Sequence, residues 1–247
     1  EISRNRKVIL ASIGTGGLFG EMAVLMKSRR AATILGVEDL KVLFLSQADF
    51  YRLLNDFPET GFLVLKAIGR NLSNKLRALN QHFLFAHSTL AAQKPANGPG
   101  EPGQAAPATL DPEILDIIKT YGEPVSVEPG KVLIHEGGIQ HDLYLILEGL
   151  AEVTKSIGDN ERVLLVHLGP GNLFGEMAFL DADLRSAEVR VLQAMKLYVF
   201  HGQKIDELAK TDMKKVNQIY LTIIRHICSN IKATNMLYVG AKRKLIP

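Results

Sequence analysis

Leu18-Phe19-Gly20-Glu21-Met22-Ala23 returns later in the same chain as Leu173-Phe174-Gly175-Glu176-Met177-Ala178, and this recurrence organises the whole sequence. Phe19 falls on Phe174, an offset of 174 − 19 = 155. At that offset, without a gap, Val8 meets Val163, Gly14 meets Gly169, Gly16 meets Gly171, Leu25 meets Leu180, Arg30 meets Arg185 and Ala32 meets Ala187. Two copies of one unit are therefore expected.

Further along the register, Asp39-Leu40-Lys41-Val42-Leu43-Phe44 meets Ala194-Met195-Lys196-Leu197-Tyr198-Val199, and both runs have the short apolar character of a buried strand. A long helix follows each. Leu65, Ile68, Leu72, Leu76, Leu79 and Phe83 form one apolar stripe, and Val216, Ile219, Ile223, Ile227, Ile231 and Tyr238 form its counterpart, with Phe83 and Tyr238 at equivalent positions. The Leu72, Leu76, Leu79, Phe83 seam also fits a coiled-coil contact with a second copy of the chain, a homodimer through the C-terminal helix of a domain. Residues 87–108, rich in Ala, Pro, Gly and Gln and without apolar periodicity, read as a flexible linker that leaves the two sites independent. Asp111-Pro112-Glu113 reads as an N-cap with proline at the first helical position. Beyond it, Val132-Leu133-Ile134, Leu143–Leu147 and Val163–Val166 alternate with turns at Pro129-Gly130, Gly137-Gly138, Glu148-Gly149 and Gly158-Asp159-Asn160. Such spacing predicts a small β-barrel or jelly roll.

The expected fold is thus α+β: two jelly-roll barrels, each followed by helices, over residues 1–86 and 109–247. The counterpart of Val125 would fall ahead of Glu1, so the first copy lacks its leading strands here. A half barrel leaves open edges. Together with an opening Glu in place of Met, this gives the expectation of a piece of a longer protein.

Hydrophobic residues make up 47% of the 247, enough for two cores. A net charge of +3 supplies no field for nucleic acid or an anionic membrane, and Lys242-Arg243-Lys244 is too short a run to change that. Cys228 is the sole cysteine, which excludes an intrachain disulfide and a multi-cysteine metal site, points to a reducing cytoplasm, and among apolar helical neighbours reads as a core residue. No apolar run of about 18 residues suggests a membrane span. His135, His141 and His167 lack metal-ligand spacing. Neither a nucleophile-base arrangement nor a phosphate loop with a lysine is present, so a non-enzyme without cofactor or metal is expected. Gly14-Thr15-Gly16-Gly17-Leu18-Phe19-Gly20 is no dinucleotide loop, because it recurs at 169–175 in a barrel context without the acidic partner such loops need.

The chemistry gathers around Gly175 and Arg185: a glycine turn, an acidic residue, a short helix, and an arginine nine residues after the glutamate. Backbone N–H groups at a helix start and a guanidinium both favour an anion such as phosphate. A glutamate beside a phosphate makes sense facing a neutral hydroxyl. Phe19-Gly20-Glu21-Met22-Ala23-Val24-Leu25 with Arg30-Ala31-Ala32-Thr33-Ile34 resembles the phosphate-binding cassette of cyclic-nucleotide-binding domains, in the form found in regulatory subunits of protein kinase A. Phe174–Leu180 with Arg185-Ser186-Ala187-Glu188-Val189 resembles the same cassette, its Arg-Ser-Ala closer to bacterial catabolite-activator-type domains.

The resemblance implies a cytoplasmic sensor that binds cyclic AMP and shifts its flanking helices. It implies that Glu21 and Glu176 hold the ribose 2′-hydroxyl, and that Arg30 and Arg185 pair with the cyclic phosphate. Gly20, Met22, Ala23 and Ala32, with Gly175, Met177, Ala178 and Ala187, would surround the phosphate. Val153 and Leu165 are candidates for the base wall, and Phe83 and Tyr238 for base caps. Ala31 after the first arginine goes with adenine, whereas Ser186 leaves cyclic GMP as an alternative at the second site. Two rival readings are a catabolite-activator-type transcription regulator, whose helix-turn-helix would not fit in the nine residues after Tyr238, and a pair of barrels that bind nothing.

Overall fold

Both apolar stripes form long helices in the computed structural model, which describes residues 9–30, 32–92, 112–157 and 162–245, the side chains of 83–92, 237 and 241–245 excepted. The first half contributes α1 (Glu21–Met26), α2 (Gln47–Asp56) and α3 (Pro58–Ala92). Ser46 starts α2 as its N-cap, the hydroxyl accepting from the Asp49 amide at 3.1 Å, and Pro58 opens α3 where no intrahelical N–H is needed. The last helix is α7 (Met213–Leu245), which the Asp212 carboxylate caps by accepting from the Lys215 amide at 2.9 Å.

The two stripes face each other. Leu65, Leu72 and Leu76 on α3 and Val216, Ile219, Ile223, Ile224 and Ile227 on α7 are buried in one apolar core that draws on both copies. Each such side chain contributes about 1.5 to 3 kcal/mol through burial. Gly69 allows the close approach, since a Cβ there would meet Leu180 Cβ at 3.3 Å and Ile224 Cδ1 at 3.7 Å. Phe62 meets Tyr220 edge-on at 4.9 Å between centroids.

Three expectations change as a result. The seam Leu72, Leu76, Leu79 is covered by α7 of the same chain, so it is not a free face for a homodimer. Helix α3 runs on to Ala92, past the linker start expected at 87, while 93–108 lie outside the described residues. The two copies also share a core, which removes the structural independence that a flexible linker suggested.

After α4 (Pro112–Tyr121), the second half forms β1 (Glu123–Val127), β2 (Val132–Ile134), β3 (Leu143–Ser156), β4 (Arg162–Leu168), β5 (Leu173–Phe174) and β6 (Glu188–Phe200), with α5 (Glu176–Asp181) before β6 and α6 (Gln203–Ala209) after it. The pairing is antiparallel in the order β1-β6-β3-β4, with β2 on β6 and β5 on β3. Val189, Val191, Met195, Leu197 and Val199 place alternate β6 positions in a second apolar core with Tyr144, Ile146 and Phe174. The turn expected at Glu148-Gly149 is instead a kink inside β3: Gly149 sits at φ 94°, its pairing register shifts there, and a Cβ would strike the Ala194 carbonyl and lie 2.8 Å from Met195 Cγ. The expected turn at Gly158-Asp159-Asn160 lies outside the described residues.

Fold class is α+β, an antiparallel sheet with helices. The strand expected over Asp39–Phe44 does not form, and among the described residues of the first copy none is in a strand. Leu43 and Phe44 are exposed. In the second copy the corresponding strand, β6, is held by β1, β2 and β3, whereas among the described residues no strand pairs with Asp39–Phe44. No helix of the described residues is long and apolar enough to cross a membrane.

Candidate nucleotide site

The repeated motif folds the same way twice. Gly20 at φ 83° and Gly175 at φ 86° each precede a six-residue helix, α1 or α5. Each helix ends on a left-handed residue, Lys27 at φ 46° or Ala182 at φ 54°, whose N–H donates back to Ala23 or Ala178. Among the described residues these are the two non-glycine positions with positive φ, a conformation that costs about 1 to 2 kcal/mol. The turn it makes brings the arginine back to the glycine. Arg30 Nη1 donates to the Gly20 carbonyl at 2.8 Å, and Arg185 Nη1 donates to the Gly175 carbonyl at 2.9 Å.

Beyond this local likeness the copies diverge. Arg185 is 4% exposed, whereas Arg30 is exposed. Arg185 Nη2 also donates to the Asp142 carbonyl at 2.7 Å, its amide donates to the Gly138 carbonyl at 2.9 Å, and its own carbonyl accepts from the Gly137 amide at 2.9 Å. Asp142 is itself tied down, its carboxylate accepting from the Gly202 amide at 3.3 Å and lying 3.1 Å from His201 Nδ1. Among the described residues Arg30 shows no second carbonyl anchor of this kind.

Arg185 carries a positive charge that no carboxylate within 4 Å among the described residues balances, and its buried Nε has no hydrogen-bond partner. Burial pushes its pKa below the ordinary arginine value, against the pull of Tyr144, Asp142 and Glu176. Burial likewise raises the Tyr144 phenol, with Asp142 adding to the rise and Arg185 opposing it. Arginine stays protonated even so. A desolvated, unpaired guanidinium is a site for an anion with two or more oxygens.

The ion pair between Arg185 and Glu176 that would merely tether a loop is absent. Glu176, 8% exposed, accepts instead from Asn230 Nδ2 on α7 at 3.4 Å. Glu21, also 8% exposed, pairs with Lys75 Nζ on α3 at 2.8 Å, and the same ammonium donates to the Leu18 carbonyl at 2.8 Å. Lys75 and Asn230 are equivalent at the 155 offset, so each long helix presents one polar side chain to its own copy's glutamate. Sequence reasoning missed both, although two polar residues beside matching apolar stripes are a readable signal. It also missed Asp142, for which an isolated carbonyl contact leaves no trace in residue type.

Met177 and Ala178 are buried in α5, and Met22 and Ala23 are half-buried in α1. The Ser186 hydroxyl lies 3.7 Å from Met177 Sδ, and its carbonyl accepts from Lys155 Nζ at 2.7 Å, with Glu136 3.1 Å from the same ammonium. Ala187 is half-buried, Ala32 is exposed, and Ala31 lies outside the described residues. Val153 and Leu165 lie half-buried on the paired strands β3 and β4; Val153 opposes Val166 and Val189, and Leu165 sits where the β3–β4 register shifts. Tyr238 is 7% exposed in the helical core, its ring 6.0 Å from that of His82 on the other copy's helix. The side chain of Phe83 is outside the described residues.

Comparison with known proteins gives a match to the cyclic nucleotide-binding domain over residues 1–57 and 124–212. The chain is 26% identical over 220 residues to a cAMP-dependent protein kinase regulatory subunit of Dictyostelium discoideum, covering 85% of this chain and 58% of that protein. It is 35% identical over 89 residues to the cyclic AMP receptor protein of Thermus thermophilus, covering 36% of this chain and 41% of the relative. It therefore spans about half the length of these curated relatives. A crystal structure of the Thermus thermophilus catabolite activator protein superposes with a TM-score of 0.42 at 24% identity, over 56% of this chain and 61% of that one. Since the matched segments carry both glycine-to-arginine turns and together take in more than half of the residues, the chain belongs to the cyclic nucleotide-binding domain family.

Proposed function

We propose that this chain is a non-catalytic regulatory protein that takes cyclic AMP at two tandem sites and relays occupancy through the long helices α3 and α7. The observation that carries the reading is Arg185: buried, held in place by two carbonyls, and without a balancing carboxylate among the described residues. A cyclic phosphate would supply the missing charge and accept from the guanidinium. The ribose 2′-hydroxyl would donate to Glu176, which accepts from Asn230 and keeps acceptor capacity on its carboxylate. The names of the regulatory-subunit and receptor-protein relatives support cyclic AMP as the ligand.

The first site shares the cassette turn and the glutamate, and it belongs to the same proposal. Its barrel would be completed by strands pairing with the exposed Asp39–Phe44 run, as β1 to β3 pair with β6 in the second copy. Contact supports relay through the helices, since each cassette glutamate touches a helix of the shared core. A ligand shifts the helices only by the difference in its affinity for their arrangements.

Calorimetric titration with cyclic AMP tests the reading. Arg185→Ala removes a charge-assisted contact shielded from water, a loss on the order of 2 to 5 kcal/mol, or roughly 30-fold and upward in Kd. Ser186→Ala is expected to weaken cyclic AMP and cyclic GMP alike. Unchanged affinity in Arg185→Ala would overturn the assignment.

A further inference from the structure

The two copies hold each other's cassettes by contacts that repeat under the 155 offset. Arg77 on α3 and Lys232 on α7 occupy equivalent positions, and each reaches the loop after the other copy's short helix. Lys232 Nζ donates to Ser28 Oγ at 3.0 Å. Arg77 Nη1 pairs with Asp181, its Nη2 lies 3.4 Å from both Asp181 Oδ1 and the Leu184 carbonyl, and Asp183 is 3.8 Å away. Ser28 and Asp183 are themselves equivalent. Higher on α7, Arg225 Nε donates to the Leu25 carbonyl at 3.0 Å, again across the copies. Same helix position to same loop position, in both directions, is the pattern of a two-fold interface built within one chain.

On the second site this crossing has a local consequence. Asp181 is the last residue of α5, its side chain is almost wholly buried, and its carboxylate also accepts from the Asp183 amide at 3.0 Å. Arg77 thus grips both ends of the 181–184 turn: the carboxylate where it begins and the Leu184 carbonyl where it ends. The next residue is Arg185. Its amide and carbonyl are tied to Gly138 and Gly137, but the path that delivers it there runs through the turn that Arg77 holds.

We propose that Arg77, contributed by the first copy, is a positioning residue for the anion site of the second, fixing the 181–184 turn so that Arg185 meets the ligand in a preset place. The proposal rests on reading the second cassette as the nucleotide site. Arg77 touches no ligand; it acts by holding the turn, so its removal lowers affinity at a site built from the other half of the chain.

The test uses the whole chain carrying Arg30→Ala, so that only the second site reports. Cyclic AMP binding is measured by calorimetry, and hydrogen exchange of amides 182–186 is measured without nucleotide. Arg77→Ala is expected to weaken binding about 3- to 30-fold and to speed exchange in the turn. Asn217→Ala is the control. It removes contacts between the copies at the Leu54 and Pro58 carbonyls, away from either cassette, and should change neither readout. If Arg77→Ala folds poorly, Arg77→Lys, which keeps the charge opposite Asp181 but loses the fork that also reaches Leu184, carries the same comparison with a loss of about 2- to 5-fold. Equal effects from Arg77 and Asn217 variants, or none from Arg77, would overturn the proposal. Failure of the Arg30→Ala chain to bind cyclic AMP would sink the nucleotide reading alone, and the exchange measurement would still decide whether Arg77 holds the turn.

Discussion

Gly20 and Gly175 occupy equivalent positions with nearly the same backbone, yet the same substitution is expected to cost different amounts at the two. Both sit at positive φ, 83° and 86°, so alanine at either pays about 1 to 2 kcal/mol for a left-handed conformation. Their surroundings then separate them. A Cβ on Gly20 would meet only Arg30, Nη1 at 2.9 Å and Cζ at 3.9 Å, and that side chain is exposed and can swing away. A Cβ on Gly175 would meet the Asp142 carbonyl oxygen at 2.6 Å, Arg185 Nη1 at 2.8 Å and Tyr144 Cδ2 at 3.4 Å. The first is backbone and the second is a buried group held on both sides, so neither yields without strain. Overpacking of this kind adds about 1 to 3 kcal/mol. Gly20→Ala should therefore cost about 1 to 2 kcal/mol and Gly175→Ala about 2 to 5 kcal/mol. Thermal unfolding followed by circular dichroism reads the difference at about 2 to 4 °C per kcal/mol for a chain of this size. Equal falls in Tm, or a larger one for Gly20→Ala, would refute the claim that the second cassette is rigidly packed and the first is not.

Two further outcomes follow from ionisation. Cys228, fully buried between the copies, has its thiol pushed up to about 12, by burial first and by Glu21 second, with Lys232 and Lys75 opposing; an aromatic disulfide reagent at pH 8 should leave it unlabelled until denaturant is added, and rapid labelling of the native chain would contradict its place in the core. His226 has its pKa lowered by burial, against Glu176 and a hydrogen bond with the Leu173 backbone, so the folded chain keeps it neutral while the unfolded chain takes up a proton near pH 6.5. Its contribution to stability is present above that pH and is lost as pH falls from about 6.5 toward the lower folded value. Urea unfolding between pH 7.5 and 5.5 should show a shallower acid-side loss in His226→Gln; an unchanged or steeper slope would refute it.

The cassette turn was legible in the sequence because everything that makes it is local. Gly20 and Arg30 are ten residues apart, as are Gly175 and Arg185, and a glycine, a short helix and a returning arginine close on themselves wherever the chain goes next. The repeat itself, both long helices and four runs of the second-half sheet were readable for the same reason, since apolar periodicity reports which face of an element is buried. It does not report what buries it. The stripe on α3 specifies an apolar partner equally well met by a second chain, by its own barrel or by α7, and tertiary packing chose α7. The Asp39–Phe44 run has the pattern of a strand, but a strand's backbone groups need neighbours, and among the described residues no strand pairs with it. Asp142 and Arg77 came from the structure alone, Asp142 from 43 positions before its arginine and Arg77 from 104 before its aspartate. Contacts at that separation depend on how whole elements dock, and no local pattern of residue types encodes the docking.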